Sequence, residues 1–284
     1  MEMKTVKNCY IHYKILIKFF YIRLIIIFLF LILMTNILKH IYYINLERRK
    51  DRWEEALEKI NNTCLKNYPY TKFNAFDGSK KEEEKKRFTN QIIVDLINNI
   101  AEKKVKYKDG ELGVLISHLS ILIDIKNNTD YKDDDYFCIF EDDFFYAATE
   151  ESFNKSFIDL MNTDLNKMDV EFLYTGGRFE PNFYTLNEEI YEMTDNINIF
   201  QKKKNINTLE TDRCLSSYMV RKSVCVKLID HILDKFLLCR RDLYYLKPID
   251  RVIETFNYTK VHDYFPHLFY SPRNYKTDIQ YKKS

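Results

Sequence analysis

The sequence predicts an α/β domain preceded by one N-terminal transmembrane helix, and three stretches carry that prediction. Tyr136-Phe137-Cys138-Ile139-Phe140 is an apolar run of strand length with no polar alternation, as expected of a strand buried on both faces. Three carboxylates, Glu141-Asp142-Asp143, follow it at once. Residues 41–46, closed by a charged turn, run into a helical pattern with Trp53, Ala56, Leu57 and Ile60 on one stripe, which is the opening of an α/β unit. Residues 19–38 form a run of 20 with one charge, Arg23. At about 1.5 Å per residue this run spans about 30 Å, the thickness of a bilayer's hydrocarbon core.

The carboxylates indicate where chemistry lies. Burying three adjacent acids without partners is too costly, so they belong at the mouth of a strand, in a ligand crevice where a divalent cation would offset their charge. The alternative is a solvated acidic turn, in keeping with Asp130, Asp133, Asp134 and Asp135 nearby.

The organisation along the chain is a short tail over 1–18, the membrane anchor over 19–38, the main domain over 40–275 and a flexible tail over 276–284. Lys4, Lys7, Lys14, Lys18 and Arg23 against Glu2 favour a cytoplasmic N-terminus and a lumenal domain, although Lys39, Arg48, Arg49 and Lys50 follow closely on the far side. Two other readings are a cleaved signal, for which no small-x-small site follows, and a start at Met34, which would leave the domain soluble. Sequons at Asn61, Asn127, Asn154 and Asn257 are usable in a lumenal domain. The six cysteines show no zinc spacing, and a disulfide among Cys64, Cys214, Cys225 and Cys239 is allowed but not specified. With 44 Lys+Arg against 42 Asp+Glu and no basic stripe, nucleic acid is not an expected partner. The 22 Tyr and 21 Phe, in a chain also rich in Asn, Ile and Lys, carry little weight as counts.

In order, Arg49 and Arg52 stand three apart at the first helix's start, sharing a face beside free backbone N–H groups, which suits phosphate; a solvated basic helix start is the rival. A second strand over 70–76 closes in the turn Asp77-Gly78. The run 80–87 is a solvated charged segment. An amphipathic helix over 88–100 turns Ile92, Ile93, Leu96 and Ile100 inward. Gly110 permits a tight turn and Gly113 a close backbone approach, ahead of a helix through 122–125 that contains Ser117 and His118. A helix over 150–161 leads to a buried strand over 170–177, expected beside the acidic strand. Residues 178–207 read as loops with short strands, a usual place for a lid. A strand over 216–220, a helix over 223–236, a helix start at Pro248-Ile249-Asp250 and a last strand over 261–270, near an edge because of Pro266, complete the domain. At that helix start Asp250 occupies an N-cap position, which explains it without catalysis.

The order and spacing of these pieces resemble glycosyltransferase family 25, which includes bacterial lipooligosaccharide β-galactosyltransferases and procollagen galactosyltransferases. The matching residues are Ile44-Asn45-Leu46 with Arg49 and Arg52, Ala75 with Asp77-Gly78, Gly110-Glu111 with Gly113 and Ser117-His118, Ile139 with Glu141-Asp142-Asp143, Ser217-Tyr218 with Val220, and Pro248-Ile249-Asp250. The resemblance implies a GT-A-like nucleotide-sugar-binding domain with a mixed central sheet. It implies inverting transfer of a hexose, often galactose, from a UDP-sugar to a hydroxyl on a glycan, lipid-linked saccharide or protein. On that reading Asn45, Arg49, Arg52, Asp77, Glu141 and Asp142 lie at the nucleotide-sugar, and Asp143 with Glu141 holds Mn²⁺ or Mg²⁺, because a departing nucleoside diphosphate needs charge stabilisation. Glu141 and Asp143 would point one way along an extended strand and Asp142 the other. The base that takes the acceptor's proton would be Asp250, Glu254 or His118, with Asp250 favoured and His118 organising the donor pocket. One departure is that the family's Gly-Thr pair before the Ser217-Tyr218 strand is replaced here within residues 209–214. An inactive membrane-anchored binding relative is therefore an alternative. A metal-dependent hydrolase is a weaker one, since no repeated His/Asp ligand set is present.

Overall fold

The computed structural model describes residues 21, 23, 37–102, 107–146, 148–177, 191–196, 198–202, 215–237, 249–254, 256, 261–264 and 266–270. The chain divides into two compact units, Met1–Asn36 and Ile37–Ser284. In the first, Tyr21 and Arg23 are helical. The rest of the expected membrane run up to residue 36 lies outside the described residues, among which no helix is long and apolar enough to cross a membrane. Leu38, expected as the last residue of that run, instead opens a strand.

The second unit is an α/β domain. Strand β1 (Leu38–Asn45) leads into helix α1 (Lys50–Asn62) and strand β2 (Tyr70–Asn74). After the single turn α2 (Lys81–Glu84) come α3 (Gln91–Glu102) and α4 (Asp109–Asn127). Strand β3 (Tyr136–Glu141), the short β4 (Phe145–Tyr146) and α5 (Glu150–Met161) follow. Strands β5 (Phe172–Tyr174), β6 (Gly176–Gly177), β7 (Tyr191–Met193), β8 (Ile199–Lys202) and β9 (Ser217–Arg221) precede α6 (Lys222–Leu237) and α7 (Ile249–Glu254). Strands β10 (Val261–Tyr264) and β11 (Phe269–Tyr270) complete the order.

Among the described residues the main sheet runs β2-β1-β3-β9-β5-β10-β8-β7, and a small second sheet runs β4-β11-β6. Strand β1 is parallel to β2 and β3, whereas β9 runs antiparallel between β3 and β5, so the sheet is mixed. Two strand expectations are corrected here. The strand after α5 does not lie beside the acidic strand, because β9 intervenes. The chain around Pro266 is not an edge either: β10 pairs with both β5 and β8, and the break before β11 accommodates the proline.

Both faces of the central strands are covered, which is why they read as unbroken apolar runs. Tyr42, Ile44, Phe137 and Ile139 face a core shared with α3, α4, α6 and α7. Ile41, Tyr43, Tyr136, Cys138 and Phe140 face the opposite core, filled by Ala56 and Ile60 of α1 and by Phe153, Phe157 and Leu160 of α5. Aromatic rings concentrate beneath the end of β3. Phe140 stacks on Tyr43 at 5.2 Å, and Phe269 meets Phe140 at 4.7 Å and Phe153 at 5.1 Å. Cys64, Cys138 and Cys225 are buried free thiols, so the allowed disulfide does not involve Cys64 or Cys225.

Candidate functional site

The C-terminal ends of β1 and β3 and the start of β9 meet at one edge of the sheet, the place where open α/β sheets bind ligands. The β1–β3 register pairs Ile44 with Glu141, which sets Asn45 opposite Asp142. Side chains alternate along a strand, so Glu141 falls on the α4 side and Asp142 on the α1 side. The expected alternation ends there. Asp142 and Asp143 form a turn, so Asp143 does not continue the strand.

Asp142 is drawn inward. Arg52 on the first turn of α1 donates to it at 2.8 Å, and the Asn45 amide donates at 2.7 Å. The same Asn45 nitrogen donates to the Arg49 carbonyl at 3.1 Å, tying the start of α1 to the acidic turn. Asn45, Arg52 and Asp142 are 1%, 4% and 9% exposed. Burial pushes the Asp142 carboxyl up, against the pull of Arg52 and Asn45. Arg49 stands at the N-cap position of α1 without a side-chain cap bond, and its partly buried guanidinium pairs with the exposed Asp51 at 2.8 Å and brings the Asp51 carboxyl down to about 2.

Asp77 caps the 3₁₀ turn Gly78–Lys80, accepting from the Ser79 amide at 3.1 Å and the Ser79 hydroxyl at 2.6 Å. Arg48, which sequence reasoning did not single out, donates to it at 2.9 Å. Burial pushes this carboxyl up, but the bonds from Ser79 and Arg48 outweigh burial and hold it below the ordinary value. The turn is fixed from below by α4. Ser117 donates to the Gly113 carbonyl at 2.7 Å and accepts from the Phe76 amide at 2.9 Å. A Cβ on Gly113 would sit 2.6 Å from the Phe76 carbonyl oxygen, so the predicted close approach is real. Gly110, by contrast, lies inside the first turn of α4 and makes no tight turn of its own.

His118 is fully buried, and both ring nitrogens are engaged. Nδ1 lies 2.9 Å from the Tyr218 hydroxyl and Nε2 lies 3.3 Å from Glu141. The ring cannot turn to another partner without losing one of these two. Helix α7 packs against α4 and α6 on the His118 side of the sheet and carries Asp250 and Glu254. Its first residue is Ile249, so Asp250 is the second helical residue and not the cap.

Several neighbours of the acidic turn lay outside the sequence reading. The Glu141 amide donates to the Ser216 carbonyl at 3.0 Å, joining the turn to the start of β9. Thr175 and Ser217 share a 2.5 Å hydroxyl bond, and the Thr175 carbonyl accepts from Leu268 and Phe269, bringing β5, β9 and β11 to the same edge. A Cβ on Gly177 would lie 2.3 Å from the His267 ring, so the predicted glycine pair makes room for a histidine. Lys59 at the end of α1 donates to the Phe144 carbonyl at 2.8 Å and lies 3.9 Å from the Phe145 ring centre. Burial lowers its ammonium, while Glu55, Asp143 and Asp142 oppose that shift. Single small or polar residues at strand ends gave no periodic signal, and only the Ser217-Tyr218 and Gly176-Gly177 pairs were legible.

Compared with known protein families, residues 38–246 match the profile described as glycosyltransferase family 25 (LPS biosynthesis protein). The matched span runs from the first residue of β1 past the end of α6 and stops short of α7. No curated protein matches the chain.

Proposed function

Because the chain belongs to glycosyltransferase family 25, we propose that it transfers a hexose, galactose being the first candidate, from a UDP-sugar to a hydroxyl with inversion. The observation that carries this reading is the acidic turn at the ends of β1 and β3, whose middle carboxylate is fixed from inside by Arg52 and Asn45. Glu141, backed by His118, and Asp143, 7% exposed in the same turn, are the acids this reading assigns to the donor.

The donor set suits Mn²⁺ or Mg²⁺. Hard divalent cations bind through one or two carboxylates and complete their shells with phosphate and water. Asp143 with Glu141 supplies two such carboxylates, and Asp142 is turned to Arg52 and Asn45. Among the described residues no group of three or more His, Cys, Asp or Glu side chains is placed to hold a metal ion. When bound, the ion supplies charge stabilisation to the departing UDP.

The protein's own residues do the rest. Asp77, held by Arg48 and Ser79, and Asn45 border the nucleotide side, and Arg49 flanks the start of α1. Asp250, with Glu254 one turn on, takes the proton of the acceptor hydroxyl as its oxygen bonds to the anomeric carbon and the carbon–phosphate-oxygen bond breaks. The acceptor is a glycan, a lipid-linked saccharide or a protein hydroxyl. The apolar run that begins at residue 19 and ends before β1 holds the domain at a membrane as a single-pass anchor with a cytoplasmic N-terminus, with a start at Met34 giving a soluble form.

The test is Mn²⁺-dependent UDP release by the full chain across a panel of UDP-sugars, with and without simple sugar or hydroxylysine acceptors. Acceptor-dependent release identifies the sugar. Donor binding without release under any acceptor supports the inactive relative, and neither binding nor release contradicts the reading.

A further inference from the structure

We propose that Tyr218 is a positioning residue for Glu141, acting through His118: its hydroxyl donates to Nδ1 and fixes the direction of the ring, so that Nε2–H is aimed at the Glu141 carboxylate. The three groups form one line from the middle of the sheet to the crevice. Tyr218 on β9 and His118 on α4 are both fully buried, at 2.9 Å, and Nε2 is 3.3 Å from Glu141 Oε1. The Glu141 side chain is 24% exposed and is where the line reaches solvent.

The direction of each hydrogen bond follows from chemistry. A neutral imidazole has one donor and one acceptor nitrogen. If Nδ1 carried the proton, Nε2 would present a lone pair to an ionised carboxylate, which is repulsive. If Nδ1 is the acceptor, Tyr218 must be the donor, and burial keeps its phenol protonated by raising it well above the usual value. Nε2–H then faces Glu141, and every polar atom in the line is satisfied. The Tyr218 ring is fixed for this task. It stacks on Phe172 at 4.8 Å and on His118 at 5.6 Å, so the hydroxyl has one direction in which to point. Partners behind a ligating group set its orientation in this way in metal and diphosphate sites.

The consequence for binding rests on the reading that Glu141 serves the nucleotide-sugar. The test therefore has two independent arms on the full chain. In the first, the ring nitrogens of ¹⁵N-histidine-labelled protein are observed by NMR, with the His118 signals assigned by their loss in H118Q. The expected result is a ring protonated at Nε2, with an Nδ1 signal that moves toward that of an unbonded acceptor nitrogen in Y218F. A ring protonated at Nδ1 or at both nitrogens, or an Nδ1 signal unchanged by Y218F, overturns the proposal. In the second arm, calorimetry measures Mn²⁺–UDP affinity. Y218F should weaken it about 10-fold in the native background. In the H118F background, where no ring nitrogen links the phenol to Glu141, Y218F should change affinity by less than about twofold. Equal losses in both backgrounds mean that Tyr218 acts by packing alone and overturn the proposal. If the native chain does not bind Mn²⁺–UDP, the donor reading fails while the Nδ1 signal still decides this one.

Discussion

Removing the Arg52 guanidinium while Asp142 stays would strand a carboxylate that is 9% exposed and already raised by burial. Breaking a buried pair in this way costs about 3–5 kcal/mol, so Arg52→Met should lower the unfolding free energy by that order in a denaturant titration. Asp142→Asn in the same background should recover part of the loss, because it removes the charge that Arg52 offset. Arg49→Ala, whose partner Asp51 is at the surface, should leave the denaturation midpoint far less changed. Asp77 gives a pH signature. Its folded carboxyl is held below the ordinary value, so the stability it contributes is present above about pH 4 and is lost as pH falls through the depressed value. D77N should therefore flatten the acid limb of the stability curve between about pH 4 and lower, and an unchanged limb would remove Asp77 from that role. At this scale the sequence was half legible. The acids announced themselves by type and position, but the pairing of Arg52 with Asp142 needed the β1–β3 register, and the pairing of Arg48 with Asp77 joins two loops about 30 residues apart, which no local pattern encodes.

The helix α4 and the Asp77 turn are one packing unit. Gly113 lets the helix backbone approach the Phe76 carbonyl, and one turn later Ser117 holds the Phe76 amide. Gly113→Ala places a methyl where 2.6 Å is available from backbone oxygen, so the turn must shift. Overpacking of this kind costs about 1–3 kcal/mol. The variant should lose that much stability and weaken UDP binding together, whereas unaltered binding would show that the turn lies away from the nucleotide. Elements with a strong period were readable in advance. The helical segment expected over 150–161 spans Glu150–Met161 as α5, and the strand over 136–140 gains only Glu141. The errors came where tertiary context decides. Gly110 was absorbed into a helix because Asp109 and Glu111 suit a helix's first turn. The last strand sits inside the sheet because its proline falls in the break between β10 and β11.

For the whole molecule, order along the chain predicted an α/β domain, but the sheet order β1-β3-β9-β5 is a long-range property in which an antiparallel strand arrives from far down the chain. That insertion makes the site. It brings Ser216, Ser217 and Tyr218 alongside Glu141, and Thr175 with β11 behind them. The aromatic residues, uninformative as counts, form the floor under the acidic turn once the chain is folded. If this turn binds a nucleoside diphosphate through a divalent cation, calorimetric titration of UDP into the full chain, with and without Mn²⁺ and beside Asp143→Asn, will show it. The expected result is binding that requires Mn²⁺ and is lost in D143N while the melting temperature holds. UDP binding that is indifferent to both the cation and Asp143, or no binding at all, would contradict it.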